Sequence, residues 1–222
     1  MAEWGIDGDL AGSTADLKSR NRYVGLKNND LGTLRLGAYD TALKESQGKV
    51  DLLNDMVGGT ADMGAIFAGE NRASNVIGYE SPDMDGIPVK FNANLILDET
   101  PHNSDNGLSL SLAYNANGVY AALAGDKKVA SKFAATGAST FADTIRVVGQ
   151  IDMGQAAGIN GLTLGALYQN AKPSSKSSVA GTVDKEDSFL INGLMAIPAV
   201  EGLSGLVQYE QGKTAYVGVS DK

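Results

Sequence analysis

The sequence contains no cysteine and only one histidine in its 222 residues. The absence of cysteine excludes disulfide bonds and thiolate-based zinc or redox sites. The histidine, His102, follows Pro101 in a stretch that reads as a surface loop. Without a second histidine, the sequence offers no convincing Ser-His-Asp arrangement and no zinc site around it. We therefore expect no enzyme activity, no metal site and no cofactor.

Long hydrophobic runs are also missing. No segment approaches the roughly 20 apolar residues of a transmembrane helix, and aromatic residues make up only 6% of the chain. A membrane is not excluded, because a β-barrel strand needs only about 9–11 residues, half of them polar. The first residues show no signal peptide, since Ala2–Asp7 already reads as a strand. The chain is thus either cytosolic or an internal part of a longer gene product.

The charge pattern excludes one class of partner. The net charge is −8 and no basic stripe with interleaved aromatics is present, so we expect no nucleic-acid binding. The segment Asp83–Gly86 has the beginning of a calcium-loop pattern but lacks the closing glutamate. A tight turn is the better interpretation of that segment.

Strict alternation of apolar and small polar residues is the strongest positive signal. In Gly107–Tyr114, leucines at 108, 110 and 112 share one face with Tyr114, while Ser109 and Ser111 lie on the other. This period of two is typical of strands whose faces contact different surroundings. It predicts eleven strands, near residues 2–10, 20–28, 33–41, 72–81, 87–99, 107–115, 119–127, 140–153, 161–170, 187–198 and 203–211.

The connections between these strands alternate between short and long. Asn and Asp with Gly mark tight turns, as in Asn115–Gly118. The long connections lie between them, the longest at 42–70. Regular alternation favours an up-and-down membrane barrel with one short-turn rim. A soluble, secreted β-sandwich with a binding or adhesive role is the alternative, and it would be expected to have Greek-key crossings.

Several segments resemble the general diffusion porins of Gram-negative outer membranes. Ser19–Lys27 and Leu31–Thr41 are similar to their fourth and fifth strands with the periplasmic turn between them. Gln47–Asp55 resembles their constriction loop, and Gly69–Arg72 with Asn75–Pro82 resembles the sixth strand. The match is specific over roughly residues 18–82 and weaker, but in register, towards the end.

The resemblance implies an all-β, antiparallel, up-and-down transmembrane barrel of sixteen strands, of which about eleven are present. Residues 1–222 would form a single porin domain, incomplete at both ends (approximately strands 3 to 13), with 42–71 as a constriction loop folded inward. The implied function is passive diffusion of small hydrophilic solutes and ions across the outer membrane. The implied partners are a homotrimer, outer-membrane lipid and lipopolysaccharide. A substrate-selective channel of the same architecture remains an alternative.

A diffusion channel filters by width and by the field between fixed charges. By resemblance, Arg20 and Arg72 match wall arginines with Lys18 as a neighbour, and Asp51 and Asp55 match the loop carboxylates. Strand parity adds further candidates, because charge facing lipid at mid-membrane costs about 2–4 kcal/mol. These candidates for the lumen are Arg22, Lys90 and Arg146.

Overall fold

The computed structural model describes residues 1–6, 17–54, 62–98, 105–134, 139–175, 177, 182–197, 200 and 202–219. They form one sheet whose eleven strands lie side by side in chain order, each antiparallel to the next. The strands are β1 (Ala2–Ile6), β2 (Leu17–Asn28), β3 (Gly32–Asp40), β4 (Arg72–Glu80), β5 (Val89–Ile96), β6 (Gly107–Ala116), β7 (Val119–Lys132), β8 (Ser139–Asp152), β9 (Leu162–Pro173), β10 (Val183–Ala196) and β11 (Ser204–Tyr216). Two short helices, α1 (Ala42–Glu45) and α2 (Met153–Ala157), and a 3₁₀ turn at Met63–Ala65 lie in connections.

The predicted all-β, up-and-down fold is confirmed strand for strand. The predicted turn before β7 has its two central residues, Asn117 and Gly118, at φ 52° and 75°. Such paired positive values match the right-handed twist of a hairpin. The largest boundary errors are five residues each, at the ends of β7 and β11: β11 continues to Tyr216, and β7 continues past a bulge between Asp126 and Val129 to Lys132. A bulge shifts the phase of the alternation, so the period-two pattern stops at the bulge and predicts an end of β7 that is too early.

The two faces of the sheet reverse the usual distribution of polarity. Leu108, Leu110 and Leu112 are 39%, 36% and 50% exposed, whereas Ser109 and Ser111 between them are 0% and 4% exposed. We call the face that carries the leucines the outer face and the face that carries the serines the inner face. Apolar side chains exposed over a whole face are what a lipid-facing barrel wall requires.

The connection between β3 and β4 accounts for the burial of the inner face. We call this connection, residues 41–71, the inner loop; its residues 55–61 lie outside the described part. Val50, Met63 and Phe67 of the inner loop pack in one buried cluster with Ala122, Val148, Leu167 and Leu190 of the sheet. The expectation that the long connection folds inward is therefore confirmed.

Within the described ranges the sheet is not closed, since β1 pairs only with β2 and β11 only with β10. A single sheet of consecutive antiparallel strands contradicts the sandwich alternative, which needs two packed sheets. Among the described residues, no helix has the length and apolar character needed to cross a membrane.

The outer face predicts a large penalty for a charge at mid-strand. Leu123 of β7 is 56% exposed and lies between Leu112 and Val147 of the neighbouring strands. We expect Leu123→Arg to lower the free energy of unfolding in lipid vesicles by about 2–4 kcal/mol relative to Leu123→Ala. Equal stabilities of the two variants in a denaturant titration would show that this face does not contact lipid.

Candidate functional site

The inner loop begins with a helical turn that is fastened to the wall. Thr41 caps α1, its hydroxyl oxygen accepting a hydrogen bond from the Lys44 amide at 3.2 Å. The Leu43 amide donates to Ser109 Oγ on β6 at 3.0 Å. Tyr120 on β7 donates its hydroxyl hydrogen to the Ser46 carbonyl at 2.7 Å. The first bond stabilises the turn itself, and the other two hold the first six residues of the inner loop against the sheet.

Arg35 on β3 is the centre of the first charged group. Its guanidinium contacts both Glu45 oxygens, at 3.1 and 3.3 Å, and Glu80 at 3.4 Å. Its Cζ also lies 4.8 and 5.6 Å from the ring centroids of Tyr39 and Tyr23. Burial raises the pKa of Glu45 from its ordinary value, and the charge of Arg35 opposes that rise. A wall cation and an inner-loop carboxylate are thus paired here.

Arg146 on β8 is the centre of the second charged group and is fully buried. It donates to Gln169 Oε1 at 2.8 and 2.6 Å, to Glu70 Oε1 at 2.6 Å and to the Leu43 carbonyl at 3.2 Å. Gln169 in turn donates to the Ala68 carbonyl at 2.7 Å. Burial raises the pKa of Glu70, while Arg146 opposes that rise.

The middle of the inner loop is attached to the last two strands. Asn192 on β10 donates to the Val50 carbonyl. Gln208 on β11 accepts from the Leu52 amide at 2.8 Å and donates to Asp51 Oδ1 at 2.9 Å. The second oxygen of Asp51 is buried and has no hydrogen-bond partner among the described residues. Asp51 is therefore held in place without a neutralising cation in direct contact.

Cavities with charged residues in their linings lie on both sides of α1. The cavity towards the short turns has a volume of about 730 Å³ and a mixed lining that includes Glu45, Lys90 and Tyr120. The cavity towards the long connections has a volume of about 630 Å³ and a mainly polar lining that includes Arg20, Arg72 and Glu70. Glu45, together with Gly48 at the end of the turn, lines both cavities. The inner loop therefore separates two cavities on the inner face.

The structure brings two predicted wall arginines into one of these spaces. Arg20 Nε lies 3.3 Å from Glu3 Oε1, and Arg72 Nε lies 3.3 Å from Asp40 Oδ1. The inner-loop carboxylates that share their cavity include Asp62 and Glu70. Asp51 instead lies against β11, as described above.

The remaining predicted residues lie in different places. Lys90 pairs with Glu80 at 3.3 Å and with Asp83 at 2.9 Å, at the short-turn side. Arg22 is exposed and shares a strand face with the exposed Val24 and Leu26, opposite to Tyr23, so the structure does not bring it into the inner-face group. The backbone of Lys18 pairs with Gly5, while its side chain and the whole of Asp55 lie outside the described residues.

The sequence interpretation missed Arg35, Glu45 and Glu70. Arg35 carried a signal, because Leu34 and Leu36 on either side of it are apolar and leave it on the polar face of β3. The two glutamates carried none, since no periodic pattern predicts which side of an irregular connection faces a wall. Among the described residues, no group of three or more His, Cys, Asp or Glu side chains could hold a metal ion.

Comparisons with known proteins agree with this architecture. A family model described as Gram-negative porin matches residues 2–221. No curated protein sequence matches the chain.

Three similar solved structures are porins or outer-membrane proteins. An anion-selective porin from Comamonas acidovorans has a TM-score of 0.59 and 17% identity, covering 91% of this chain and 59% of its own. OmpT of Vibrio cholerae, expressed in the outer membrane, has a TM-score of 0.66 and 16% identity over 93% and 63%. Its loop L8 deletion mutant has a TM-score of 0.68 and 16% identity over 92% and 66%. The chain thus spans about three fifths of the length of these structures.

The Arg35 group predicts a strong effect on stability. Arg35→Met would leave the Glu45 carboxylate, whose side chain is 28% exposed, without its cation. We expect the free energy of unfolding in detergent to fall by about 2–3 kcal/mol. Lys27→Met, which removes an exposed cation from β2, should change it by less than about 0.5 kcal/mol. Similar losses of unfolding free energy in both variants would show that Arg35 stabilises the protein no more than an exposed surface cation does.

The loss of stability in Arg35→Met should depend on pH. Without Arg35, the pKa of Glu45 must rise further above its unfolded value, because burial and the negative charges of Glu80 and Asp40 all raise it. A carboxyl with a raised folded-state pKa binds more protons when folded, so the folded state gains stability as pH falls through that pKa. The loss in Arg35→Met should therefore be largest near pH 7 and shrink towards about pH 4. Unfolding curves at several pH values test this, and a loss that grows on acidification would contradict it.

Proposed function

Because this chain belongs to the Gram-negative porin family, we propose that it forms the wall and the constriction of a channel for passive diffusion of small hydrophilic solutes and ions. The protein is located in the outer membrane, as are its structural neighbours from Vibrio cholerae. The observation that carries the proposal is the inner loop between two cavities with charged residues in their linings, on a sheet whose other face is apolar.

The proposed constriction consists of α1 and the wall residues beside it. Glu45 lines the spaces on both sides, so a solute that passes from one to the other must pass this turn. Gly48 adopts φ +61° there, and a Cβ at that position would lie 2.9 Å from the Tyr120 ring. The narrowing is thus built from a tightly packed turn, which suits a filter of fixed width.

The proposed field comes from charges on opposite sides of this passage. Arg20 and Arg72 are contributed by the wall, and Asp51, Asp62 and Glu45 by the inner loop. Lys90 would act at the entrance on the short-turn side. Charges in a narrow, poorly screened space bias ion passage more than the same charges on an open surface. Among the described residues no cation directly contacts Asp51, so it is the carboxylate that we expect to act most strongly on passing cations.

The proposed partners are two sister protomers, outer-membrane lipid and lipopolysaccharide. Support for a protein or lipid contact comes from β2, where Val24 and Leu26 are 71% and 78% exposed. The mass of the complete protein in detergent, with and without heating, tests the trimer.

The first experiment on function is planar-bilayer conductance of the complete polypeptide that contains these residues. Stepwise, long-lived, ohmic openings are expected from a diffusion channel. Insertion into the bilayer without openings would overturn the proposal, and saturation of the current by one solute class would replace it with a substrate-selective channel.

A charge variant tests the proposed role of Asp51. In Asp51→Asn the shape is kept and one inner-loop charge is lost, so the reversal potential across a salt gradient should move towards anion selectivity by a few millivolts or more. Asp30→Asn, in the exposed turn between β2 and β3, removes the same charge far from the inner loop and should leave the potential unchanged. The absence of a shift in Asp51→Asn would remove this residue from the conducting path.

A further inference from the structure

Arg146 is more deeply buried than the other inner-face cations whose side chains the structure describes. Its side chain is 0% exposed, whereas that of Arg35 is 11% exposed and those of Arg20, Arg72 and Lys90 are 35%, 31% and 41% exposed. It lies on β8 between Ala124 of β7 and Gln169 of β9, beneath the inner loop. A passing solute could not touch it.

The contacts of Arg146 join the two ends of the inner loop. The Leu43 carbonyl belongs to the first turn of the inner loop, and Glu70 is its next-to-last residue. One guanidinium binds both, at 3.2 and 2.6 Å, although they are far apart in sequence. Gln169, which accepts two further bonds from the same guanidinium, also holds the Ala68 carbonyl. The other contacts described above are local: Arg35 holds only α1, and Gln208 holds only residues 51 and 52.

The charge of Arg146 is balanced where it lies. Glu70, with a side chain only 9% exposed, is its partner at 2.6 Å. Asp126, also buried, is close enough to interact electrostatically with Arg146. The inner loop separates Arg146 from the cavities. A buried cation that is paired with carboxylates therefore contributes little to the electric field there.

We propose that Arg146 is a positioning residue that fixes the width of the passage by tying both ends of the inner loop to the wall, and that its charge takes no part in ion selectivity. The inference rests on the proposed channel function. Arginine suits the role because its planar group directs several donors at once. A lysine offers one compact charge and could not reach the Leu43 carbonyl, Glu70 and Gln169 in the same geometry.

Two substitutions separate geometry from charge. Arg146→Lys keeps the charge and loses the geometry, whereas Arg146→Met loses both. We expect both to raise single-channel conductance by about 1.5-fold or more, because a released inner loop widens the passage, and both to keep the reversal potential of the unchanged protein. Lys172→Met, which removes an exposed cation from β9, should alter neither quantity.

Two results would overturn the proposal. Unchanged conductance in both variants would show that the other contacts are sufficient to position the inner loop. A reversal potential that changes in Arg146→Met but not in Arg146→Lys would show that solutes sense the charge. Arg146→Lys also serves as the variant to measure if Arg146→Met fails to fold, since it leaves Glu70 with a cation.

Hydrogen exchange distinguishes failure of this inference from failure of the channel proposal. In folded protein in detergent, the amides of residues 43–46 should exchange faster in Arg146→Lys than in the unchanged protein, because local opening becomes easier. If the unchanged protein forms no channels, the channel proposal fails, and this comparison still decides whether Arg146 holds the inner loop. Equal exchange rates would show that it does not.

Discussion

The constraint on which this structure depends is that lipid offers no hydrogen bonds to a backbone. Each strand must find partners for its amides and carbonyls on its neighbours, and consecutive antiparallel pairing from β1 to β11 does this with short turns on one side. Because successive side chains then alternate between faces, the outer face carries mainly leucine, valine, isoleucine and aromatic side chains. The inner face carries serine, asparagine, arginine and glutamate, together with the apolar side chains that pack under the inner loop.

An inner face of this kind brings polar groups under the inner loop, where water is excluded. These polar groups have lost water as a hydrogen-bond partner, and the backbone of the inner loop replaces it. Amides and carbonyls of residues 43, 46, 50, 52 and 68 pair with wall side chains. Apolar contacts of Val50, Met63 and Phe67 fill the space between these bonds. The inner loop is thus positioned by polar groups that a soluble protein would expose. Most of its described residues lie outside helices and strands, and they bury the wall beneath them.

The strands could be predicted from the sequence because period-two alternation depends only on residues that are neighbours in the chain. The sequence also identified the long connection, whose apolar residues had to pack against something. Contacts within the site were harder to predict, since they depend on register between distant segments. Asp51 was correctly placed in the inner loop, but its contact with Gln208 depends on where β11 lies. Arg146 was correctly assigned to the polar face of β8, yet alternation could not show that the inner loop would cover it. Arg22 shows the opposite limit. It has the same parity as Arg20, but the register between β1 and β2 shifts between the pairs Ala2–Arg22 and Trp4–Ser19, and such an irregularity breaks the alternation of faces.

The ion pairs also indicate what the wall contributes to selectivity. Arg35, Arg72 and Lys90 each contact a carboxylate of the sheet or the inner loop. A paired charge acts at a distance as a dipole, whose field falls more steeply than that of a lone charge. Asp51 and Glu210, which both bond to Gln208, have no cation in direct contact among the described residues. In the channel that we propose, the field along this part of the inner face would therefore be set more by these carboxylates than by the paired cations, and the residues that only hold the inner loop would differ from those that bias passing ions.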